Sequence, residues 1–129
     1  MENIRISTII SAANIRFPCP DIDKMQQIKW LQQLDEQIVE DIISKYEENS
    51  FLADKKDKVK YTSDADVVLA PSRFIEMYIY WLMAQMEYYK QETRRYSNDL
   101  AQFQKTYDDF SRWYKRNNMP LQKNRLKLM

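Results

Sequence analysis

The chain has 129 residues, which suits one domain, and 44% of them are hydrophobic, which is enough to form a core. It contains no Gly and no His, so Gly-dependent phosphate and nucleophile-elbow motifs and all imidazole chemistry are excluded. Its 20 Lys and Arg against 19 Asp and Glu give a net charge of +1, which excludes a global attraction to nucleic acid or anionic lipid.

The single cysteine, Cys19, stands between Pro18 and Pro20 and has no partner for an intrachain disulfide. This composition suits a reducing compartment. No stretch approaches the ~18 consecutive apolar residues of a membrane span, and the N-terminus has no signal-type pattern. We therefore expect a protein made in the cytoplasm without a membrane partner.

The first part of the chain predicts two helices. A short helix is expected from Ser7 to Ile15, with Ser7 as its N-cap and Pro18 forcing its end. A longer amphipathic helix, capped by Asp21 or Asp23, is expected over about residues 22–48, because apolar residues recur there at steps of three and four: Ile28, Leu31, Leu34, Ile38, Ile42 and Tyr46. Residues 21–48 hold eight acidic and three basic residues, a net charge of −5.

The middle of the chain lacks a strong pattern. Residues 49–64 are polar and without periodicity, which predicts a surface loop. Val67, Val68 and Leu69 favour a brief extended segment, which is too short to form a sheet alone.

The dominant pattern lies between Phe74 and Asn118, where there is no Pro and no Gly. Its apolar stripe keeps helical phase throughout: Phe74, Tyr78, Leu82, Gln85, Tyr89, Thr93, Tyr96, Leu100, Phe103, Tyr107, Phe110 and Tyr114. Unbroken phase favours one helix of roughly 45 residues, with Ser72 as a reasonable cap. Two helices bent at residues 95–98 are the alternative.

These elements predict an all-α fold, a small helical bundle. Its long C-terminal helix, with a kink near residues 95–98 as the alternative, is expected to pack on the acidic helix of about residues 22–48. One helical domain would cover residues 1–120, and residues 121–129 would form a basic tail. From Ser111 to Met129 there are six basic residues and no acidic one, a net charge of +6.

Neighbouring acids such as Asp35 with Glu36, or Asp108 with Asp109, are the candidates for acid–base chemistry or cation binding. They are expected on polar helix faces, where carboxylates are solvated and keep ordinary pKa values. We therefore predict no catalytic, cofactor-binding or metal-binding residues and no enzymatic activity.

Three aromatic residues lie off the apolar stripe. By helical angle, Tyr88 and Trp113 lie about a quarter turn from it and Tyr80 lies nearly opposite. Either shorter helices cover these rings, or the rings form a second apolar surface for another subunit. The second interpretation makes Tyr80, Tyr88 and Trp113 the candidate partner interface.

The basic C-terminal segment is either solvated, bound to nucleic acid phosphates, or covering an acidic surface. Its candidate contact residues are Arg116, Lys123 and Arg125. Because residues 21–48 are acidic and this segment is basic, repeated copies have complementary patches that favour head-to-tail association into a closed ring.

Two blocks of the sequence carry a family resemblance: KWLQQLDEQI from Lys29 to Ile38, and the block from Val68 to Pro120. They contain a Trp-Leu-x-x-Leu-Asp element, an apolar-Pro lead-in, a Tyr-x-x-Trp-Leu core, a Glu followed by Arg-Tyr, and a Phe and an Arg close to Met-Pro. In these motifs the chain resembles head–tail connector proteins, also called head-completion or neck adaptor proteins, of tailed phages and prophages of Gram-positive bacteria.

The resemblance implies a structural protein that forms a ring at the portal vertex and links the capsid to the tail. Its partners would be copies of itself, the portal protein and a downstream neck or tail protein, with non-specific contact to packaged DNA. It would be made in the host cytoplasm and reside in the virion neck. The resemblance implies neither catalysis nor particular site residues. The alternative function is a helical nucleic-acid-binding or regulatory phage protein that uses the basic C-terminal segment.

Overall fold

The computed structural model describes residues 3–46 and 52–118. Within these residues the fold is mostly α-helical, as predicted, with a small two-stranded sheet. Its helices are α1 (Ile6–Arg16), α2 (Lys24–Asp41), α3 (Ile75–Tyr89) and α4 (Thr93–Asn117), and its strands are β1 (Asn3–Arg5) and β2 (Val67–Pro71). Short 3-10 helices cover Ile43–Lys45, Ala53–Lys58 and Ser72–Phe74. No described helix is both long and apolar enough to cross a membrane.

Helix α3 is the centre of the bundle, since it contacts α1, α2 and α4. It is apolar on most of its surface and buries side chains toward all three neighbours, among them Met77, Tyr78, Leu82 and Met86. A helix that is apolar nearly all round is expected at such a central position. The other helices each bury one face against it.

Helix α1 confirms the predicted short helix but not its cap. Arg5 occupies the N-cap position, and no side chain caps the helix. The backbone N–H groups of Ile6 and Ser7 instead donate to the carbonyls of Asp66 and Asp64, at 2.9 and 2.8 Å. The loop before β2 therefore satisfies the unpaired donors that Ser7 was expected to satisfy.

The predicted extended segment at Val67–Leu69 is confirmed as part of β2. Its partner β1 was not predicted; the two strands are antiparallel, with Asn3 opposite Pro71 and Arg5 opposite Val67. Three residues at the chain start carry no strand signal of their own, and only β2 gives them a partner. Val68, Leu69 and Ala70 are buried.

Helix α2 confirms the predicted amphipathic helix, with Ile28, Leu31, Leu34 and Ile38 buried. It is shorter than predicted, because it ends at Asp41 and a 3-10 helix follows. Asp23 occupies the N-cap position but its side chain makes no capping hydrogen bond. The predicted loop over residues 49–64, as far as it is described, contains the 3-10 helix Ala53–Lys58 and places Leu52, Val59 and Tyr61 in the core.

The predicted single helix from residue 74 to 118 is wrong. The alternative of two helices is confirmed, but not its break at residues 95–98, because these residues lie inside α4. The chain turns at Lys90–Glu92. There Gln91 has φ 61°, its N–H donates to the carbonyl of Tyr88, and the N–H of Glu92 donates to the carbonyl of Glu87. This is a Schellman helix end, which usually requires Gly at the left-handed position. Residues 90–92 carry no signal for a helix end, because Lys, Gln and Glu are all good helix formers.

After the turn, α4 returns antiparallel along α3. The Phe74 ring lies 5.0 Å from that of Phe110, and the Trp81 ring lies 5.1 Å from that of Phe103. Aromatic rings from the two halves of the predicted long helix therefore bury each other within the hairpin. They do not form one side of a single straight helix that packs on a separate partner. Removing this apolar area from water is the force that favours the hairpin.

Candidate functional site

The far end of α4 carries a cavity that we call the Trp113 cavity. It has a volume of about 320 Å³ and is lined by Arg73, Phe74, Arg112, Trp113 and Arg116, among others. The structure thus brings together two of the predicted contact residues, Trp113 and Arg116. The 3-10 helix Ser72–Phe74 supplies Arg73 and Phe74 because it lies opposite the last turns of α4.

Trp113 is half-buried. Its ring packs against Phe74 at 5.1 Å and Phe110 at 5.9 Å, and it also borders the cavity. A large ring held by the core and bordering a surface cavity is the arrangement of an interface anchor. Because this ring packs on the core, the shape of the cavity depends on how α3 and α4 pack together.

The Trp113 cavity carries an excess of positive charge. Its two carboxylates are already engaged: Asp109 accepts from Arg112 at 2.8 Å, and Glu76 accepts from Arg16 at 2.9 and 3.0 Å. Among residues 3–46 and 52–118, no ion pair involves Arg73 or Arg116. The Arg73 guanidinium lies over the Phe74 ring, 5.0 Å from its centre. Neither guanidinium has a carboxylate partner among the described residues, and carboxylates and phosphates are the groups that Arg binds in bidentate geometry.

The opposite end of the hairpin carries a second surface, which we call the turn groove. It is an open cavity of about 950 Å³ lined by Trp30, Tyr88, Tyr89 and Tyr96 together with polar residues of the turn. Tyr88 and Tyr89 are 69% and 58% exposed. The Tyr88 ring contacts that of Tyr96 at 5.3 Å, and Tyr89 contacts Trp30 at 6.4 Å. Exposed aromatic rings that border a cavity mark a surface for a partner.

The three predicted interface rings do not form one surface. Tyr88 lies beside the turn, whereas Trp113 packs on Phe74, which is about 21 Å away along α3 at 1.5 Å per residue. Tyr80 is half-buried, with the Arg16 guanidinium 6.0 Å from its ring centre. A residue of the shorter helix α1 therefore covers the Tyr80 ring, as the first of the two interpretations expects. Lys123 and Arg125, the other predicted basic contacts, lie outside the described residues.

The expectation that Asp35 lies on a solvated face is wrong. Asp35 is fully buried and accepts hydrogen bonds from the Tyr61 hydroxyl, from the Tyr78 hydroxyl at 2.6 Å and from the Leu69 N–H at 3.1 Å. The Tyr78 oxygen in turn accepts from the Ala70 N–H at 3.0 Å. One carboxylate thereby joins α2, β2, α3 and the segment before β2.

A sequence signal for this cluster existed. Asp35 follows Leu31 by four residues and precedes Ile38 by three, so it lies within the apolar stripe of α2. Burial raises the pKa of Asp35 to about 6, although its three hydrogen bonds oppose the rise. Without access to solvent, this carboxylate is a structural anchor and cannot meet a substrate.

Glu87 is the second buried acid. Its side chain is fully buried, and among the described residues its two oxygens are the buried side-chain polar atoms without a hydrogen bond. Arg95 Nε lies 3.9 Å away. Burial raises the pKa of Glu87 to about 8; Asp99 adds to the rise and Arg95 opposes it. Across the described ranges, no three His, Cys, Asp or Glu residues are grouped so as to hold a metal ion.

No family model, no curated protein and no solved structure matches this chain. The candidate sites are therefore those that the chain's own residues form. Those residues offer two surfaces at opposite ends of the α3–α4 hairpin, the Trp113 cavity and the turn groove, and two buried carboxyl groups, of which Glu87 borders the turn groove.

Proposed function

We propose that this protein is a phage head–tail connector, a structural adaptor that assembles into a ring at the portal vertex and links capsid to tail. The motifs in Lys29–Ile38 and Val68–Pro120 support the family. The observation that supports the assembly role is the Trp113 cavity. There the Trp113 ring packs on Phe74 and borders the same cavity as Arg73 and Arg116, which form no ion pair within the described residues.

A complementary surface is present on α2. Glu36, Glu40 and Asp41 are exposed, and none of them forms an ion pair within the described residues. Because Asp35 is buried, these three carboxylates make up the negative outer face of α2. A copy that places this face against the Trp113 cavity of its neighbour pairs carboxylates with Arg73 and Arg116. Repeated head-to-tail contacts of this kind form a ring when the rotation between copies closes, which is the geometry that we propose.

Assembly is tested with the purified protein, alone and mixed with portal particles, by light scattering and negative-stain imaging. The proposal expects rings on the portal vertex. A protein that stays monomeric and never joins portal particles would contradict it.

The contact itself is tested by charge reversal. Arg116→Glu is expected to abolish ring formation, whereas Lys105→Glu, an exposed reversal elsewhere on α4, keeps it. Mixing Arg116→Glu chains with Glu40→Lys chains should restore part of the assembly, because the mixed contact regains opposite charges. If Arg116→Glu assembles like the wild type, the Trp113 cavity is not the ring contact.

The same guanidinium groups favour a second candidate, a nucleic-acid-binding protein. Binding of a labelled duplex at 50 and 200 mM salt distinguishes the two. A binder with six phosphate contacts loses affinity about a thousandfold over this range. A connector shows little affinity for free duplex at either concentration.

A further inference from the structure

The turn between α3 and α4 requires a backbone conformation that its residues do not favour. Gln91 has φ 61°, a left-handed conformation that Gly adopts freely and that costs other residues about 1 kcal/mol or more. Lys90, Gln91 and Glu92 would all be favoured in a continuous helix. The ion pair of Lys90 with Asp21 at the turn is exposed, and such pairs stabilise little.

The contacts across the hairpin are symmetric about Glu92. Tyr88 meets Tyr96, each four residues from Glu92; Trp81 meets Phe103, each eleven residues away; and Phe74 meets Phe110, each eighteen residues away. The ring pairs therefore recur every seven residues along both helices, with ring centres 5.3, 5.1 and 5.0 Å apart. This spacing is that of an antiparallel coiled pair.

On one continuous helix the same six residues share a face. At 3.6 residues per turn, Phe74 and Phe110 are ten whole turns apart, and the other four rings fall within about 40° on either side of them. A straight helix through the turn would therefore present all six rings in a single stripe. Two such helices, antiparallel and centred on Glu92, would form every ring pair of the hairpin twice, between chains.

From this juxtaposition we infer that α4 exchanges between two copies of this chain. The Lys90–Glu92 turn straightens, α3 and α4 become one helix, and the α4 of each copy packs on the α3 of the other. A second copy is the required partner, because an opened monomer would expose the buried rings of Phe103, Phe110 and Tyr114. The exchanged dimer keeps these contacts and releases both copies of Gln91 from the left-handed region.

A matched pair of variants at the turn tests the exchange. Gln91→Gly favours the turn and Gln91→Ala favours the straight helix, so the dimerisation constant should be about tenfold or more higher for Gln91→Ala. Sedimentation equilibrium over a range of concentrations, after refolding at high concentration, measures it. Gln104→Gly and Gln104→Ala, at an exposed position within α4, are the controls. The dimerisation constant of Gln104→Ala should not exceed that of Gln104→Gly in the same way.

Exchange and ordinary dimerisation are separated by cross-linking. In a Cys19→Ala background, one chain carries Tyr88→Cys and another carries Tyr96→Cys. After the two are refolded together and oxidised, exchange gives a covalent heterodimer, because Tyr88 of each chain lies against Tyr96 of the other. A dimer that yields no heterodimer overturns the inference, and so does a Gln91→Ala protein that remains monomeric at every concentration. The result does not depend on the proposed function, since no portal protein enters the assay.

Discussion

Asp35 illustrates how one side chain positions several elements. Its carboxylate accepts hydrogen bonds from two tyrosine hydroxyls and one backbone N–H. A single buried group therefore joins α2 to β2 and α3. Buried polar groups of this kind are tolerated only when their hydrogen bonds are made. Glu87 shows the opposite case, a buried carboxyl group that accepts no hydrogen bond from a described donor and whose pKa is raised by burial and by the neighbouring Asp99.

Asp35→Ala is expected to lower the free energy of unfolding by about 3 kcal/mol or more, because it leaves three buried donors without an acceptor. The adjacent exposed residue is the control: Glu36→Ala should change it by less than about 0.5 kcal/mol. Urea denaturation of the two variants measures both values. Equal stabilities would contradict the buried cluster.

The stability of the fold should fall with rising pH because of Glu87. Its pKa rises from 4.5 to about 8 on folding. Between these values the folded state retains a proton that the unfolded state has lost, so the free energy of unfolding decreases as the pH increases. Glu87→Gln should flatten this slope between about pH 6.5 and 8, above the range in which Asp35 titrates.

Denaturation at several pH values measures the slope. Glu40→Gln, at an exposed acid of α2 away from Glu87, is the control and should keep the wild-type decrease. A Glu87→Gln protein with an unchanged slope would show that Glu87 is ionised in the folded state.

At the scale of elements, α4 depends on its packing. Most of its surface is exposed, and its fully buried side chains are Phe103, Phe110 and Tyr114. Phe103 and Phe110 pack on Trp81 and Phe74, and Tyr114 packs on Tyr46 and accepts from the Leu52 N–H. A 25-residue helix of this composition gains most of its stability from this packing and not from helix propensity.

Phe110→Ala is therefore expected to cost about 3–5 kcal/mol, since it removes a fully buried ring that packs on Phe74 and Trp113. Lys105→Ala, on the exposed face of the same helix, should cost nothing measurable. Thermal unfolding followed by circular dichroism compares them. Similar melting temperatures would mean that α4 does not pack on α3.

At the scale of the whole molecule, the α3–α4 hairpin separates two surfaces of different chemistry. The Trp113 cavity is basic with an anchored ring, whereas the turn groove is aromatic and half open to solvent. The connector that we propose needs two contact surfaces, one toward each neighbour, and these two ends of the hairpin are our candidates for them.

Replacing both exposed rings of the turn groove, in Tyr88→Ser/Tyr89→Ser, should leave the free energy of unfolding within about 1 kcal/mol of the wild type, because most of their area is already in water. Binding to portal particles should nevertheless weaken, because we assign the turn groove to the second neighbour, whereas the ring contact at the Trp113 cavity should persist. Calorimetry and negative-stain counting measure the stability and the binding. Wild-type binding to portal particles by this variant would show that the turn groove is not a contact surface.

The sequence by itself determined the class of fold, the faces of α2 and α4, and the extended segment at Val67–Leu69, because each follows from the periodic placement of apolar residues along the chain. It also singled out Trp113 and Arg116, which the fold brings to one cavity. Three features depended on the tertiary structure: the turn at Gln91, the strand pairing of β1, and the burial of Asp35 and Glu87. Each of these is decided by contacts between distant segments, which can hold a residue against its local preference; only Asp35, within the apolar stripe of α2, left a signal in the sequence.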